Sequence, residues 1–214
     1  MTATTASPDP RLLTPDLRPP TPMPTSDAAP EAPLEIAICG DLTENESEIA
    51  EKLLAVPPGE ECVLYFNSPG GSAYAALSLA SLIVLRGMNA TGVVLGECSS
   101  AAIWPLAACR RRIVTAHSVL LFHPLKWESG EHVSIDEAAE WARHFAFLET
   151  DMDAVLARLL GMPTDKLAAW MKPGRYVSGH EMAQAGLAEI VDLAPRPMIL
   201  PSGAGGGGKR KSKR

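Results

Sequence analysis

Between Leu34 and Leu193 short apolar runs alternate with stretches in which apolar residues return every three or four positions. That interleaving predicts an α/β domain in which strands and helices follow one another. LEIAIC reads as a strand, and TENESEIAEKLLA as an amphipathic helix in which Thr43 and Glu46 have the spacing of a capping box. CVLYFN reads as a buried strand, SPGG as a turn, SAYAALSLASLIVLR as an apolar helix and ATGVVLG as a further strand. CSSAAIWPLAA then reads as a helix that starts directly after a strand. RRIVTA and SVLLFH follow as two strands. Ser134 and Glu137 form a second capping-box pattern, opening a long helix that ends at Gly161. On it Trp141, Phe145, Leu148, Met152, Val155 and Leu159 recur on one face, the stripe expected to be buried. Pro163 starts a short helix through Trp170, Ser178 and Glu181 mark one more cap, and LAEIVDL closes as a strand.

Outside this body the composition changes. Residues 1–33 hold nine of the nineteen prolines and read as a disordered tail, and residues 195–214 as a flexible glycine-rich tail with a basic tip. Residues 1–33 carry −2 and the last six residues +5, so the total of −6 leaves −9 on the residues between them. The basic tip is read as solubilising, with no specific nucleic-acid partner. No apolar run reaches the ~18 residues that cross a bilayer, and the start lacks a secretory apolar core, so a cytoplasmic protein without a membrane partner is expected. Cys39, Cys62, Cys98 and Cys109 stand alone in apolar stretches, which predicts buried free thiols and no metal site; no cofactor is called for.

Three places bear chemistry. Asn67 to Ser72 sets two glycines between a strand and a helix, where bare backbone N–H groups suit a negative oxygen; a plain tight turn is the alternative. This segment has neither the GxGxxG nor the GxxxxGK[ST] spacing, so it is not a phosphate loop. Ser100 lies at a helix start among small neighbours, a place where a nucleophile gains from free N–H groups and the positive helix end, although a serine there also serves as an N-cap, as Ser99 does equally well. His123 ends an apolar strand just before Pro124, either as a hydrogen-bonded structural residue or as the base that an activated serine needs. The other four histidines fit solvent-facing roles.

FNSPGGS, GECSSAAIWPLAA, SVLLFHPL and YVSGHEMAQAGLAEIVD, in this order and near spacing, resemble the proteolytic subunit of the ATP-dependent Clp protease over about residues 34–193. The resemblance implies a ClpP/crotonase-like fold, α/β with repeated β-β-α units and a long handle helix. It further implies a serine endopeptidase acting inside a chamber of stacked homo-oligomeric rings, or in a mixed ring with a paralogous subunit, on peptides or unfolded proteins delivered by an ATPase unfoldase. Carried over position by position, Ser100 falls on the nucleophile, His123 on the general base, and the N–H groups of the Gly70-Gly71 pair and Ala101 on the oxyanion hole.

The likeness departs at the third triad member, where the family has Asp and this chain has Gly174. Three readings follow: a carboxylate from elsewhere, a Ser/His dyad, or a catalytically impaired structural or regulatory subunit. Acyl-CoA chemistry on the related crotonase scaffold is the remaining alternative. Pro124 follows His123 directly where the family has an intervening Gln. Of the aromatic pair at the family's unfoldase-docking cleft, Tyr65 persists and the partner position is Val63.

Overall fold

A computed structural model describes residues 32–127 and 132–193. The two tail readings lie almost wholly outside the described residues. The elements run β1 (Leu34–Asp41), α1 (Leu42–Ala55), β2 (Glu61–Gly70), α2 (Ala73–Leu85), β3 (Asn89–Cys98), a 3-10 turn (Ser100–Ala102), α3 (Ile103–Ala108), β4 (Arg111–Thr115), β5 (Val119–Phe122), α4 (Ile135–Leu160), α5 (Thr164–Met171), β6 (Arg175–Ser178), α6 (Gly179–Gln184) and β7 (Glu189–Val191). The mixed α/β architecture expected from the alternation is present.

The main sheet has the order β1-β2-β3-β4-β7 with every pairing parallel. Parallel neighbours need crossover connections, and the helices supply them. Along β2 every second residue is buried, through Cys62, Leu64, Phe66 and Ser68, while Val63 and Tyr65 between them stay half-exposed. One sheet face therefore carries the core, and the strand expected to be buried is buried along one side. The same alternation explains why Cys39 is exposed: Ile36 and Ile38 point inward and the thiol after them points out, whereas Cys62, Cys98 and Cys109 are buried as expected. Burial raises the pKa of the Cys98 and Cys109 thiols, so neither is a ready thiolate.

Local rules set most helix ends. Ser134 accepts the Glu137 N–H at 3.2 Å while Glu137 reaches back to the Ser134 N–H at 2.8 Å, and Gly161 closes α4 in the left-handed region. Ser178 and Glu181 form the same box on α6. At α1 the expected box is not made. Asp41 caps that helix, accepting the Thr43 N–H at 2.7 Å, and Thr43 Oγ1 instead accepts the Ser72 N–H at 2.9 Å. An aspartate two residues upstream outcompetes the threonine for the same orphan donors. On α4 the buried residues are Leu148, Met152, Leu156, Ala157 and Leu160; Phe145 and Leu159 pack partly, and Trp141 and Val155 are half-exposed. The buried line follows the row of residues four apart, which runs obliquely across a helix, so the steps of three in the expected stripe drift off it. Trp141 finds Trp127 instead, ring edge to face at 5.6 Å.

β5 and β6 form an antiparallel pair beside the main sheet, joined to β3 through one residue pair, Glu97 with Val119. Two buried serines fasten that joint. Ser99 Oγ accepts the Leu121 N–H at 3.2 Å, and the Ser118 hydroxyl donates to the Val94 carbonyl at 3.0 Å while accepting the Thr115 N–H at 2.8 Å. Among the described residues no helix is long and apolar enough to cross a membrane.

Candidate active site

β3 delivers the chain to Ser100, which has φ +53° and is the only non-glycine residue with positive φ among the described residues. Such a conformation costs about 1 kcal/mol or more and persists where its surroundings hold it. Here the surroundings are the end of β2. A Cβ on Gly70 would stand 2.6 Å from Ser100 Cβ, 2.8 Å from the Ser99 carbonyl oxygen and 2.9 Å from the Ala101 nitrogen. Only glycine lets the strand end lie this close to the serine turn.

Gly70 is thereby assigned a structural part. Its own N–H donates to Ser68 Oγ at 3.1 Å, and the Ser68 hydroxyl donates onward to the Gly40 carbonyl at 2.6 Å. The expectation of Gly70 as an oxyanion donor is corrected on that ground: its N–H is spent inside the fold. Gly71 and Ala101, by contrast, line the same cavity as Ser100 and His123. The expected helix after β3 also begins differently. Its first turn is 3-10 and α3 runs for six residues, so the helix dipole adds little and any oxyanion is left to individual N–H groups. Ser99, the alternative cap, makes no capping bond, because its hydroxyl is engaged with β5.

His123 follows the last residue of β5. Its Nε2 lies 2.8 Å from Ser100 Oγ and its Nδ1 lies 2.6 Å from the Pro124 carbonyl oxygen. A carbonyl only accepts, so Nδ1 carries the proton of the neutral ring; Nε2 is then bare and accepts from the Ser100 hydroxyl. The structure thus brings together two residues twenty-three positions apart, in the protonation pattern a general base requires.

Among the described residues no carboxylate bonds to the far ring nitrogen of His123. Gly174 lies directly against His123: a Cβ there would meet His123 Cβ at 3.3 Å and the Phe122 carbonyl oxygen at 3.5 Å, and its φ is +125°. The backbone of this loop is shaped around an absent side chain. Glu149 and Asp153 line the cavity but do not reach His123; Glu149 pairs with Lys172 at 3.0 Å. Of the three readings left open at Gly174, the one invoking a carboxylate from another part of the chain finds no support among the described residues, and the far ring nitrogen meets only backbone.

The cavity in front of the pair has a volume of about 340 Å³. Its apolar wall includes Trp104, Phe145, Met152 and Met171, with the Trp104 indole N–H donating to the Met152 carbonyl at 3.4 Å. Sequence reasoning did not foresee the Pro124 carbonyl or the two acids here. The carbonyl leaves no mark in residue type. The acids did leave a signal, since Phe145, Glu149, Met152 and Asp153 fall at steps of four, three and one on one face of α4. The remaining histidines lie elsewhere. His132 and His180 are exposed, His117 sits in the turn before β5, and His144, expected to face only solvent, pairs its Nε2 with the Tyr74 hydroxyl at 2.8 Å. Among the described residues no three His, Cys, Asp or Glu side chains are grouped to hold a metal ion.

Comparison with known proteins bears on the family and the fold. The family model described as Clp protease matches residues 34–193. The ATP-dependent Clp protease proteolytic subunit of Pleurastrum terricola is 24% identical over 162 residues, covering 73% of this chain and 82% of the relative. The ATP-dependent Clp protease proteolytic subunit 1 of Mycobacterium leprae (strain TN) is 29% identical over 131 residues, covering 60% of this chain and 64% of that one. A mutant of ClpP1 from Listeria monocytogenes superposes with a TM-score of 0.65 at 17% identity, over 74% of this chain and 91% of the other, and so shares the fold. With the family model spanning the whole described domain and the same architecture recurring in a solved relative, the chain belongs to the Clp protease family.

Proposed function

We propose that this protein is a serine endopeptidase of the Clp type in which a Ser100–His123 dyad, oriented by a backbone carbonyl, cleaves peptide bonds. The observation that carries the reading is the 2.8 Å contact between Ser100 Oγ and His123 Nε2, with Nδ1 fixed on Pro124. In the reaction His123 takes the hydroxyl proton as Oγ attacks the peptide carbonyl. The N–H groups of Gly71 and Ala101 receive the oxyanion, and the imidazolium then protonates the leaving amine. Water, activated by the same nitrogen, releases the acyl group. The Pro124 carbonyl sets the tautomer as a triad carboxylate does, but it is neutral. It therefore stabilises the imidazolium less, by about 1–1.5 kcal/mol if charge assistance doubles a hydrogen bond, which is roughly tenfold in turnover. A fluorophosphonate probe should label Ser100, lose all labelling in Ser100→Ala and most of it in His123→Ala; absence of both labelling and peptide hydrolysis in the assembled protein refutes the reading.

Assembly belongs to the same proposal. The first half of α4 exposes Ile135 and Phe147, at 88% and 68%, as a handle that meshes opposing rings would. The proposed setting is a cytoplasmic ring chamber, homo-oligomeric or mixed with a paralogue and fed by an ATPase unfoldase; the relatives' names describe them as subunits of an ATP-dependent protease. Sedimentation as a monomer at every concentration is the result that removes it.

One observation favours a second reading, a catalytically impaired subunit that contributes ring structure: Gly174 stands where the family carries its carboxylate, and the loop there is closed around the glycine. If Ser100→Ala leaves cellular proteolysis unchanged while removal of the whole chain disrupts a mixed ring, this second reading replaces the first.

A further inference from the structure

The cavity beside Ser100 has an apolar wall of Trp104, Phe145, Met152 and Met171, polar groups at Ser72, Tyr74 and Lys126, and two carboxylates from α4, Glu149 and Asp153. Their situations differ. Glu149 is held by the Lys172 ammonium at 3.0 Å, so one carboxylate is compensated. Asp153, half-buried, has no hydrogen bond or ion pair among the described residues and senses Lys172 only through space. The remaining lining cation, Lys126, is exposed on the loop after β5 and screened by solvent. The interior is thus short of one positive charge. Burial first, and the neighbouring Glu149 second, push the Asp153 carboxyl above its ordinary range, as expected of a group that lacks a partner.

We infer that this cavity selects a substrate residue with a long cationic side chain, arginine or lysine, on the acyl side of the scissile bond, its methylenes lying along Trp104, Phe145, Met152 and Met171 and its charged tip meeting Asp153. The inference rests on Ser100 and His123 being the peptidase pair and adds the substrate class. Several features fit one another. Arginine and lysine have the apolar stem and charged tip that such a sleeve with a single carboxylate accommodates. A cavity of about 340 Å³ has room for a long side chain in its extended form. An arriving cation also relieves the repulsion between Asp153 and Glu149, which a leucine or methionine leaves in place, and a glutamate would aggravate it.

Binding and hydrolysis are tested separately, so that the two ideas fail separately. In the full-length Ser100→Ala protein, calorimetry would compare N-acetylated tripeptide acids that differ only in their last residue: arginine, lysine, leucine or glutamate. Arginine and lysine should bind at least about tenfold tighter than leucine, the size expected for one charge-assisted hydrogen bond, and glutamate weakest. Adding Asp153→Asn should bring arginine and leucine within about twofold of each other. Equal or tighter binding of leucine, preference for glutamate, an arginine advantage that survives Asp153→Asn, or no binding of any peptide overturns the inference. Hydrolysis of the matching amide substrates by the unsubstituted protein is read independently. No turnover of either substrate refutes the peptidase reading, while an arginine preference in binding still identifies the pocket's chemistry.

Discussion

Replacing Gly70 by alanine tests whether the serine turn is held by close packing of a strand end. The new methyl group would meet three atoms of the turn at 2.6, 2.8 and 2.9 Å, and none of them is the free end of a flexible side chain. Forcing that contact costs about 1–3 kcal/mol as overpacking. Holding an L residue at φ +109° costs about 1–3 kcal/mol more. A central figure of about 4 kcal/mol corresponds to a fall in Tm of about 8–16 °C for a domain of this size. Gly87 and Gly186 provide the control, because both have positive φ, +61° and +72°, with nothing within 4 Å of a built Cβ. Alanine there meets only the backbone term, about 1–2 kcal/mol and about 2–8 °C. Scanning calorimetry on the three variants separates crowding from backbone strain, and the rate of fluorophosphonate labelling reports whether Ser100 has moved. Gly70→Ala should lose both stability and labelling, the latter by more than tenfold. If it melts no lower than Gly87→Ala and labels at the unsubstituted rate, the account of the turn is wrong.

Three further outcomes are expected. Gly174→Asp, which restores the family's residue type, should gain no peptidase activity and lose about 1–3 kcal/mol in denaturant titration, because φ is +125° and the Cβ arrives 3.3 Å from His123 Cβ; a gain in kcat would contradict this. Asp153 has a raised pKa in the folded state, so its ionised form opposes folding above that pKa, and the penalty fades as pH falls toward the unfolded value near ~4. Asp153→Asn should accordingly raise Tm at pH 7 with the advantage closing toward pH 4, and a gap that widens on acidification would reverse the sign assigned here. Ser134→Ala removes the hydroxyl that accepts the Glu137 N–H and should cost about 1 kcal/mol by chemical denaturation, with Ser100 labelling unaffected.

What was legible in the sequence was what local rules determine. Most of the strand and helix order, the boxes at Ser134 and Ser178 and the end at Gly161 depend on residues within one turn of each other and appear where the pattern puts them; the four-residue strand β6 (Arg175–Ser178), too short to show a period, is not among the elements the pattern predicts. The Thr43 box failed because a second capping residue, Asp41, stood within reach and Ser72 from another element claimed the threonine hydroxyl. The drift of the buried line on α4 from Val155 and Leu159 to Leu156 and Leu160 depends on how that helix lies against its neighbours, which no helical periodicity encodes. At the site, the type and order of Ser100 and His123 could be read directly. Their 2.8 Å separation, the spent N–H of Gly70 and the carbonyl of Pro124 could not, since each is a matter of backbone direction rather than side-chain identity.

The single residue pair that ties β5 to β3 has a mechanical meaning. Hydroxyl and imidazole ride on different pieces of the molecule, one on the rigid platform of parallel strands and the other on a small two-stranded flap latched by Ser99 and Ser118. Because side chains alternate along a strand, a slip of that flap by one residue would turn the ring to the opposite side while leaving the platform whole. The alignment of Ser100 with His123 is therefore only as faithful as that latch, and substitutions of Ser99 or Ser118 would part the two side chains while leaving the platform folded.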